Sequence, residues 1–181
     1  YLYRLLVDRN DTEDILHDTF VKAFDKIDTF KGNASLKSWV FRIGTNLSYD
    51  FLKSRKRWSD DAQDRAKELA GKSPAIRKTF NQVHERSSYG HYDIREHIDF
   101  CFTCISKTLP IKQQVALILK DVYGFSRAEI GQIIESSEGV VKHLLHDSRT
   151  SMTEIFNNRC DLINKSGTCH QCTELAGIYN P

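Results

Sequence analysis

The stretch from Phe30 to Trp58 constrains the fold of this chain more than any other. Asn33 and Ser35, which follow Gly32, suit a turn and a helix N-cap. Apolar residues then recur at helical spacing, at Leu36, Val40, Ile43 and Leu47. The pattern predicts a long amphipathic helix that ends near Arg57.

A second stripe of the same predicted helix is basic and contains an amide and an aromatic ring. At ~100° per residue it lies roughly 100–120° from the apolar stripe. It consists of Arg42, Asn46, Tyr49, Lys53 and Arg57. Cations suit phosphates, amides suit base edges and rings suit unstacked bases. The stripe therefore predicts nucleic-acid binding, and an ordinary solvated helix face is the alternative.

Length and charge limit the classes of protein to consider. A chain of 181 residues allows one ordinary domain or two small ones, and 40% hydrophobic residues suffice for a core. Because the net charge is only +2, affinity for a polyanion must come from local clusters such as the basic run 53–57.

The ends of the chain and its cysteines indicate the compartment. No apolar run reaches the ~18–20 residues of a membrane span and no signal-peptide pattern is present, so we expect no membrane insertion. The chain starts at Tyr1 within a helical pattern, so we expect residues before it to be missing. Five cysteines are an odd number and too few for a disulfide scaffold, which favours a cytoplasmic location.

Two more helices are predicted before the basic helix. One ends near Val7, and a polar turn at residues 8–11 leads into a helix from about Thr12 to Asp28. Its predicted inward stripe is Leu16, Phe20, Ala23 and Ile27. Its outward face carries Asp14, His17, Asp18, Val21, Lys22 and Asp25. That face is either merely solvated or docks a basic partner helix. We expect a small all-α bundle over residues 1–58.

A second helical domain is expected over residues 94–156, after a linker of roughly 35 residues at 59–93 without a sustained apolar stripe. Pro110 suits the start of a helix that Gly124 ends in a left-handed cap. Ser126 and Glu129 form a capping box, and Ser137 can cap a last helix to about Phe156. Two helices joined by so short a turn predict a helix-turn-helix, with a plain helical hairpin as the alternative.

These motifs, taken together, resemble regions two and four of bacterial sigma factors. The segments are TEDILHDTFVKAF, FKGNASLKSWVFRIGTNLSYDFLKSRKR and LPIKQQVALILKDVYGFSRAEIGQIIESSEGVVKHLLHDSR, and the match covers most of residues 1–152. The chain is most similar to the small two-domain kind, the extracytoplasmic-function (ECF) group of the sigma-70 superfamily. The order of the motifs makes the combination specific.

The resemblance implies roles for residues in the first domain. The second helix would bind core RNA polymerase through Asp14, His17, Asp18, Phe20 and Val21, where His17 replaces the family's usual Gln. The third helix and the turn before it would bind the unwound minus-ten strand. The residues concerned are Asn33, Ser35, Arg42, Asn46, Tyr49, Asp50, Lys53 and Arg57.

The second domain would read the minus-thirty-five element of a promoter. The candidate DNA-contacting residues are Ser126, Ser137, Lys142, His143, His146 and Arg149. The chain departs from the family here: Val140 replaces Thr, and Leu144 and Asp147 replace Arg. Ser136 replaces an apolar residue. Loss of two cations should weaken the electrostatic part of DNA affinity.

The tail at residues 157–181 contains a second CxxC pair. Cys101 with Cys104, and Cys169 with Cys172, can supply four thiolates to a zinc ion. The alternative is that these cysteines are small buried residues or free thiols, and Cys160 is unpaired in either case. No cofactor is otherwise expected.

The predicted function is that of a sigma factor without catalytic activity, whose partners are core RNA polymerase, promoter DNA and, in some systems, an anti-sigma factor. The alternative is a helix-turn-helix regulator with a zinc- or redox-sensing tail that binds duplex DNA as a dimer. An enzyme is the weakest class, because the chain has no phosphate loop, nucleophile motif or paired carboxylates with a pocket.

Overall fold

The computed structural model describes residues 1–6, 8–53 and 106–159, together with residues 68, 72–74 and 102. Every regular element within these residues is helical. The predicted linker at 59–93 and the tail from residue 160 lie outside the described residues, except for residues 68 and 72–74.

The first segment contains three α-helices and a short 3₁₀ turn. The helices are α1 (Leu2–Leu6), α2 (Arg9–Asp25) and α3 (Leu36–Lys53), and the 3₁₀ turn is Ile27–Thr29. α2 starts three residues before the predicted Thr12, because the Asp8 carboxylate accepts a hydrogen bond from the Asp11 amide at 2.9 Å.

The inward stripe predicted for α2 is wrong apart from Ala23. Its buried residues are Ile15, Thr19 and Ala23. By contrast, the side chains of Leu16, Phe20 and Ile27 are exposed.

Close approach of α2 to α3 explains this difference. A Cβ added to Gly44 of α3 would lie 3.3 Å from Thr19 Oγ1, so the two helices touch through small residues. The Thr19 hydroxyl donates to the Ile15 carbonyl at 2.6 Å, and the Ser48 hydroxyl donates to the Gly44 carbonyl at 2.8 Å. Because each hydroxyl is hydrogen-bonded within its own helix, it can be buried at low cost.

The same principle alters the inner face of α3. Its buried residues are Ser38, Trp39, Gly44, Thr45, Ser48 and Leu52. The apolar stripe predicted from the sequence is only half-buried at Val40, Ile43 and Leu47, and Leu36 is exposed. The prediction of an amphipathic helix is confirmed, but its most buried positions are small or polar.

The second segment contains three α-helices and a π-helical turn. The helices are α4 (Ile111–Leu117), α5 (Arg127–Ile133) and α6 (Glu138–Arg159), and the π turn Ile118–Val122 continues α4. Pro110 is the N-cap of α4, one residue before its predicted position. Gly124 has the positive φ of 71° that a left-handed cap requires.

The caps predicted for the last two helices are confirmed. Ser126 Oγ accepts from the Glu129 amide at 3.2 Å, and the Glu129 carboxylate accepts from the Ser126 amide at 2.8 Å, which completes the capping box. Ser137 Oγ accepts from the Val140 amide at 3.3 Å at the start of α6. Helices α5 and α6 and the short turn between them form the helix-turn-helix.

Described residues up to Lys53, and those from Leu109 to Ser151, belong to one compact unit. An aromatic cluster joins the two segments. The ring of Phe41 on α3 lies 5.0 Å from that of Phe125 and 5.9 Å from that of Tyr123. Lys37 Nζ lies 4.2 Å from the centre of the Phe125 ring, and Phe125 is only 2% exposed. Contacts across the cluster therefore hold α3 against the loop before α5.

Candidate polymerase and nucleic-acid interfaces

The outward face of α2 presents acids and apolar side chains together. Asp14, His17 and Asp18 are exposed, and His17 Nδ1 lies 3.5 Å from an Asp18 carboxylate oxygen. Phe20 is 60% exposed and Val21 is 45% exposed. The five residues predicted to bind polymerase thus lie on the surface of one helix.

Sequence reasoning missed further apolar residues on this helix. Leu16 and Phe24 flank Phe20 at intervals of four residues, and Phe24 is 82% exposed. We call Leu16, Phe20, Val21 and Phe24 the α2 apolar patch. Large apolar side chains with such exposure on one helix face are typical of a protein-binding surface. The buried Thr19 and Ala23, at helical spacing from Ile15, were the signal that this face points away from the core.

The basic face of α3 divides into an exposed end and a covered end. Asn46, Asp50 and Lys53 are exposed, and Lys53 Nζ donates to the Asp50 carboxylate at 2.8 Å. That hydrogen bond holds the pKa of Asp50 below its ordinary value. Arg42 is half-buried, and Arg57 lies outside the described residues.

Tyr49 differs from its neighbours on this face. Its side chain is half-buried, and its hydroxyl is buried without a hydrogen-bond partner among the described residues. Burial raises the pKa of this hydroxyl above its ordinary value. The ring is therefore held partly inside the bundle.

The turn before α3 holds the other two residues predicted for the minus-ten strand. Asn33 is exposed, just after Gly32, whose φ is 72°. Ser35 Oγ accepts from the Ser38 amide at 3.0 Å, so Ser35 caps α3 as predicted. The Asn33 amide is thereby placed at the surface, one turn from the start of the helix.

Arg42 lies beside the helix-turn-helix. It lines a cleft of about 570 Å³ together with Ala128, Gly131, Gln132, Glu135, Ser136, Ser137 and Glu138. Two carboxylates therefore share the cleft with the Arg42 guanidinium. Arg42, which is predicted to bind the minus-ten strand, therefore lies next to the turn that precedes α6, the helix predicted to read the minus-thirty-five element.

The residues predicted to contact duplex DNA lie in three structural settings. Lys142, His143 and His146 are exposed on α6. Ser126 and Ser137 use their hydroxyls in the helix caps described above. The Arg149 guanidinium forms two hydrogen bonds with Asp121, at 3.2 Å from Nε and 2.6 Å from Nη2. That bond raises the pKa of Arg149.

The zinc hypothesis falls on residues that the structure leaves undescribed. All five cysteines lie outside the described residues, including Cys101, Cys104, Cys169 and Cys172. Within the described part of the chain, no group of three or more His, Cys, Asp or Glu side chains is placed to hold a metal ion. None of the helices described there has the length and apolar character to cross a membrane.

Comparison with known proteins supports the pattern of two separate segments. Residues 1–58 match the family model for sigma-70 region 2, and residues 100–152 match that for sigma-70 region 4. The ECF RNA polymerase sigma factor SigW of Bacillus subtilis is 30% identical over 152 residues, which cover 83% of this chain and 78% of SigW. SigG of Mycobacterium tuberculosis, also an ECF sigma factor, is 24% identical over 177 residues. The chain spans about half the length of SigG (47%).

Solved structures show the same fold. CnrH in complex with the cytosolic domain of CnrY has a TM-score of 0.58 at 16% identity, covering 86% of this chain and 77% of CnrH. The sigma factor RpoE in complex with the anti-sigma factor NepR, from Bartonella quintana, has the same TM-score at 22% identity, covering 86% of this chain and 87% of RpoE. Together with the two family models and the likeness to SigW, this establishes that the chain belongs to the ECF group of the sigma-70 family.

Proposed function

We propose that this protein is an ECF sigma factor that binds core RNA polymerase in the cytoplasm and directs it to promoters. The observation that carries the proposal is the succession of the two sigma regions along one chain, the first with an exposed acidic and apolar helix. Sigma factors are DNA-binding regulatory subunits, and the protein would have no catalysis of its own.

Helix α2 is the proposed polymerase-binding element. Its acids can meet a basic partner, and the α2 apolar patch can be buried against the partner's apolar side chains. The combination favours a protein partner over a solvated surface, because an apolar patch with a side chain as exposed as Phe24 is unfavourable in water unless a partner covers it.

Helix α3 and the turn before it are the proposed site for the unwound minus-ten strand. Asn33 and Asn46 expose amides for base edges, and Lys53 exposes a cation. Extruding a base costs a few kcal/mol of unstacking, which stacking and a fitted pocket can offset. Arg42 and Tyr49 would join this site only with some side-chain movement, since both are half-buried.

The helix-turn-helix is the proposed minus-thirty-five reader. Exposed Lys142, His143 and His146 lie on one side of α6 and would face the major groove. The departures from the family at Leu144 and Asp147 lower the local positive charge, so we expect this region to depend on polymerase for stable DNA binding.

An anti-sigma factor is a proposed partner. One structural neighbour, RpoE, was solved in complex with the anti-sigma factor NepR, and another, CnrH, was solved with the cytosolic domain of CnrY bound. A zinc ion held by the CxxC pairs remains a proposal without support from the described residues.

Charge reversal on α2 tests the proposed function. Asp14→Lys combined with Asp18→Lys should abolish binding to core polymerase without unfolding the protein, because both side chains are exposed. The measurement is pull-down of core polymerase followed by run-off transcription. Glu13→Lys is the matched control, since it reverses an exposed acid of the same helix that lies about 100° round from Asp14. Normal holoenzyme formation by the double variant would contradict the assignment of this face.

A second experiment separates the two modes of DNA binding. Asn46→Ala should reduce strand opening, measured by permanganate footprinting of holoenzyme, much more than initial promoter binding. Equal loss of both steps would contradict a role in holding single-stranded bases. Tight binding of the chain alone to a promoter duplex, without polymerase, would favour the alternative of an ordinary helix-turn-helix regulator.

A further inference from the structure

The ion pair between Asp121 and Arg149 connects two elements of the helix-turn-helix region. Asp121 lies in the π turn after α4, and Arg149 lies three turns into α6. The two hydrogen bonds, at 3.2 Å and 2.6 Å, make a two-point contact that fixes the plane of the guanidinium. A single-point contact would leave that plane free to rotate.

The pair leaves part of the guanidinium available. Of the five N–H groups of an arginine, this contact uses one on Nε and one on Nη2. The side chain of Arg149 is 52% exposed, so its remaining donors can reach a ligand from solvent. Arg149 follows His146 by three residues and Lys142 by seven, so all three exposed side chains lie on one side of α6.

We propose that Asp121 is a positioning residue, which holds Arg149 so that its free N–H groups meet a phosphate of the minus-thirty-five duplex. The proposal rests on the proposed function, and it adds a residue outside the recognition helix to DNA binding. A guanidinium that is already oriented loses less conformational entropy when it binds a phosphate.

The charge of Asp121 gives the proposal a distinctive sign. By electrostatics alone, removing an acid near DNA should tighten binding, because less negative charge then faces the phosphates. If Asp121 positions Arg149, its removal should weaken binding instead. Asp147 is an exposed acid on α6 itself and serves as the control, for which charge alone predicts tighter binding.

The experiment measures binding of holoenzyme, assembled from core polymerase and the full chain, to a fluorescein-labelled promoter duplex that supports run-off transcription, by fluorescence anisotropy over a series of salt concentrations. Arg149→Ala should lower the slope of log K against log salt by about 0.9, the value for one phosphate contact. Asp121→Ala should weaken binding at low salt by roughly three-fold to five-fold, and the double variant should bind like Arg149→Ala alone. Asp147→Ala should bind at least as tightly as the unmodified protein.

Thermal melting of each variant separates positioning from folding. Asp121→Asn keeps the size of the side chain and one acceptor oxygen, so it should retain the fold and show a smaller loss of affinity than Asp121→Ala. Tighter binding by Asp121→Ala, or additive effects in the double variant, would each overturn the proposal. Failure of the proposed function would appear separately, as loss of core polymerase pull-down by the unmodified protein.

Discussion

Buried hydroxyls are a recurrent feature of α2 and α3. Thr19, Thr45 and Ser48 each donate to the backbone carbonyl four residues earlier, at 2.6 to 2.8 Å. Because the Thr45 hydroxyl donates its hydrogen bond to the Phe41 carbonyl, the Tyr1 hydroxyl must be the donor in its 2.7 Å contact with Thr45 Oγ1. Tyr49 is the exception, since its buried hydroxyl has no partner in the described residues.

This contrast predicts opposite effects for two substitutions of tyrosine by phenylalanine. Tyr49→Phe removes a hydroxyl that is buried without a partner, so it should stabilise the protein at neutral pH by about 1 kcal/mol. Tyr1→Phe removes the donor to Thr45 and should destabilise it by a similar amount. Urea unfolding of both variants would measure the two differences, and a loss of stability in Tyr49→Phe would show that its hydroxyl is satisfied.

Tyr49 also makes the free energy of unfolding depend on pH in the alkaline range. Burial raises the pKa of the Tyr49 hydroxyl, so the folded protein keeps this proton after the unfolded chain has begun to lose it near pH ~10. Deprotonation of the unfolded chain therefore does not lower the free energy of unfolding below that pH, but lowers it progressively as the pH rises above it. The stability of Tyr49→Phe should therefore decline less steeply at alkaline pH, and identical alkaline slopes would contradict this account.

At the scale of elements, local signals in the sequence were sufficient to predict the caps. The capping box of Ser126 and Glu129, the Ser35 and Ser137 caps and the left-handed Gly124 are each set by residues within a few positions. Which face of α2 is buried could not be predicted in this way. Hydrophobic periodicity placed Phe20 inward, whereas tight contact through Gly44 and Thr19 turns Phe20 outward. Periodicity alone does not distinguish a core from a surface that binds another protein.

The candidate polymerase and nucleic-acid interfaces were likewise predictable only in part. Its helices and surface acids followed from pattern and from resemblance to the family, while the Asp121–Arg149 pair joins residues 28 positions apart and depends on tertiary structure. The roles of the individual site residues remain proposals.

The turn of the helix-turn-helix depends on Gly131. A Cβ at this position would lie 2.6 Å from the Ser136 carbonyl oxygen, and the Ser136 amide donates to the Gly131 carbonyl at 2.9 Å. Gly131→Ala should therefore destabilise the protein by about 1–3 kcal/mol, because the backbone of the turn must move. Gly139→Ala is the matched control, since its Cβ would meet only Ser137 Oγ at 3.8 Å and alanine favours the helix.

The turn also contains Glu135, whose φ of 52° is unusual for a residue with a side chain. Thermal unfolding followed by circular dichroism would compare Gly131→Ala with Gly139→Ala. Equal melting temperatures for Gly131→Ala and the unmodified protein would show that the turn can open without cost.

On the scale of the whole molecule, the described residues of the first sigma region up to Lys53 share one compact unit with those of the second from Leu109 to Ser151. The aromatic cluster of Tyr1, Phe41, Tyr123 and Phe125 lies where they meet, and Gln114 Nε2 also donates to the Arg4 carbonyl at 3.4 Å. Arg42 of the proposed minus-ten site faces the cleft beside the helix-turn-helix. The stability of α3 should therefore be linked to that of α5, although these helices belong to different sigma regions.

Phe125 tests this linkage. Its ring contacts Phe41 and lies under Lys37, and only 2% of the side chain is exposed, so Phe125→Ala should cost about 3–5 kcal/mol. Hydrogen exchange measured by mass spectrometry should show amides of both α3 and α5 losing protection by the same factor, because they open in one cooperative step. Phe24→Ala, at a side chain 82% exposed, should leave exchange in both helices unchanged. Faster exchange in α5 alone would mean that the two regions unfold independently, and that the cluster is only a surface contact between them.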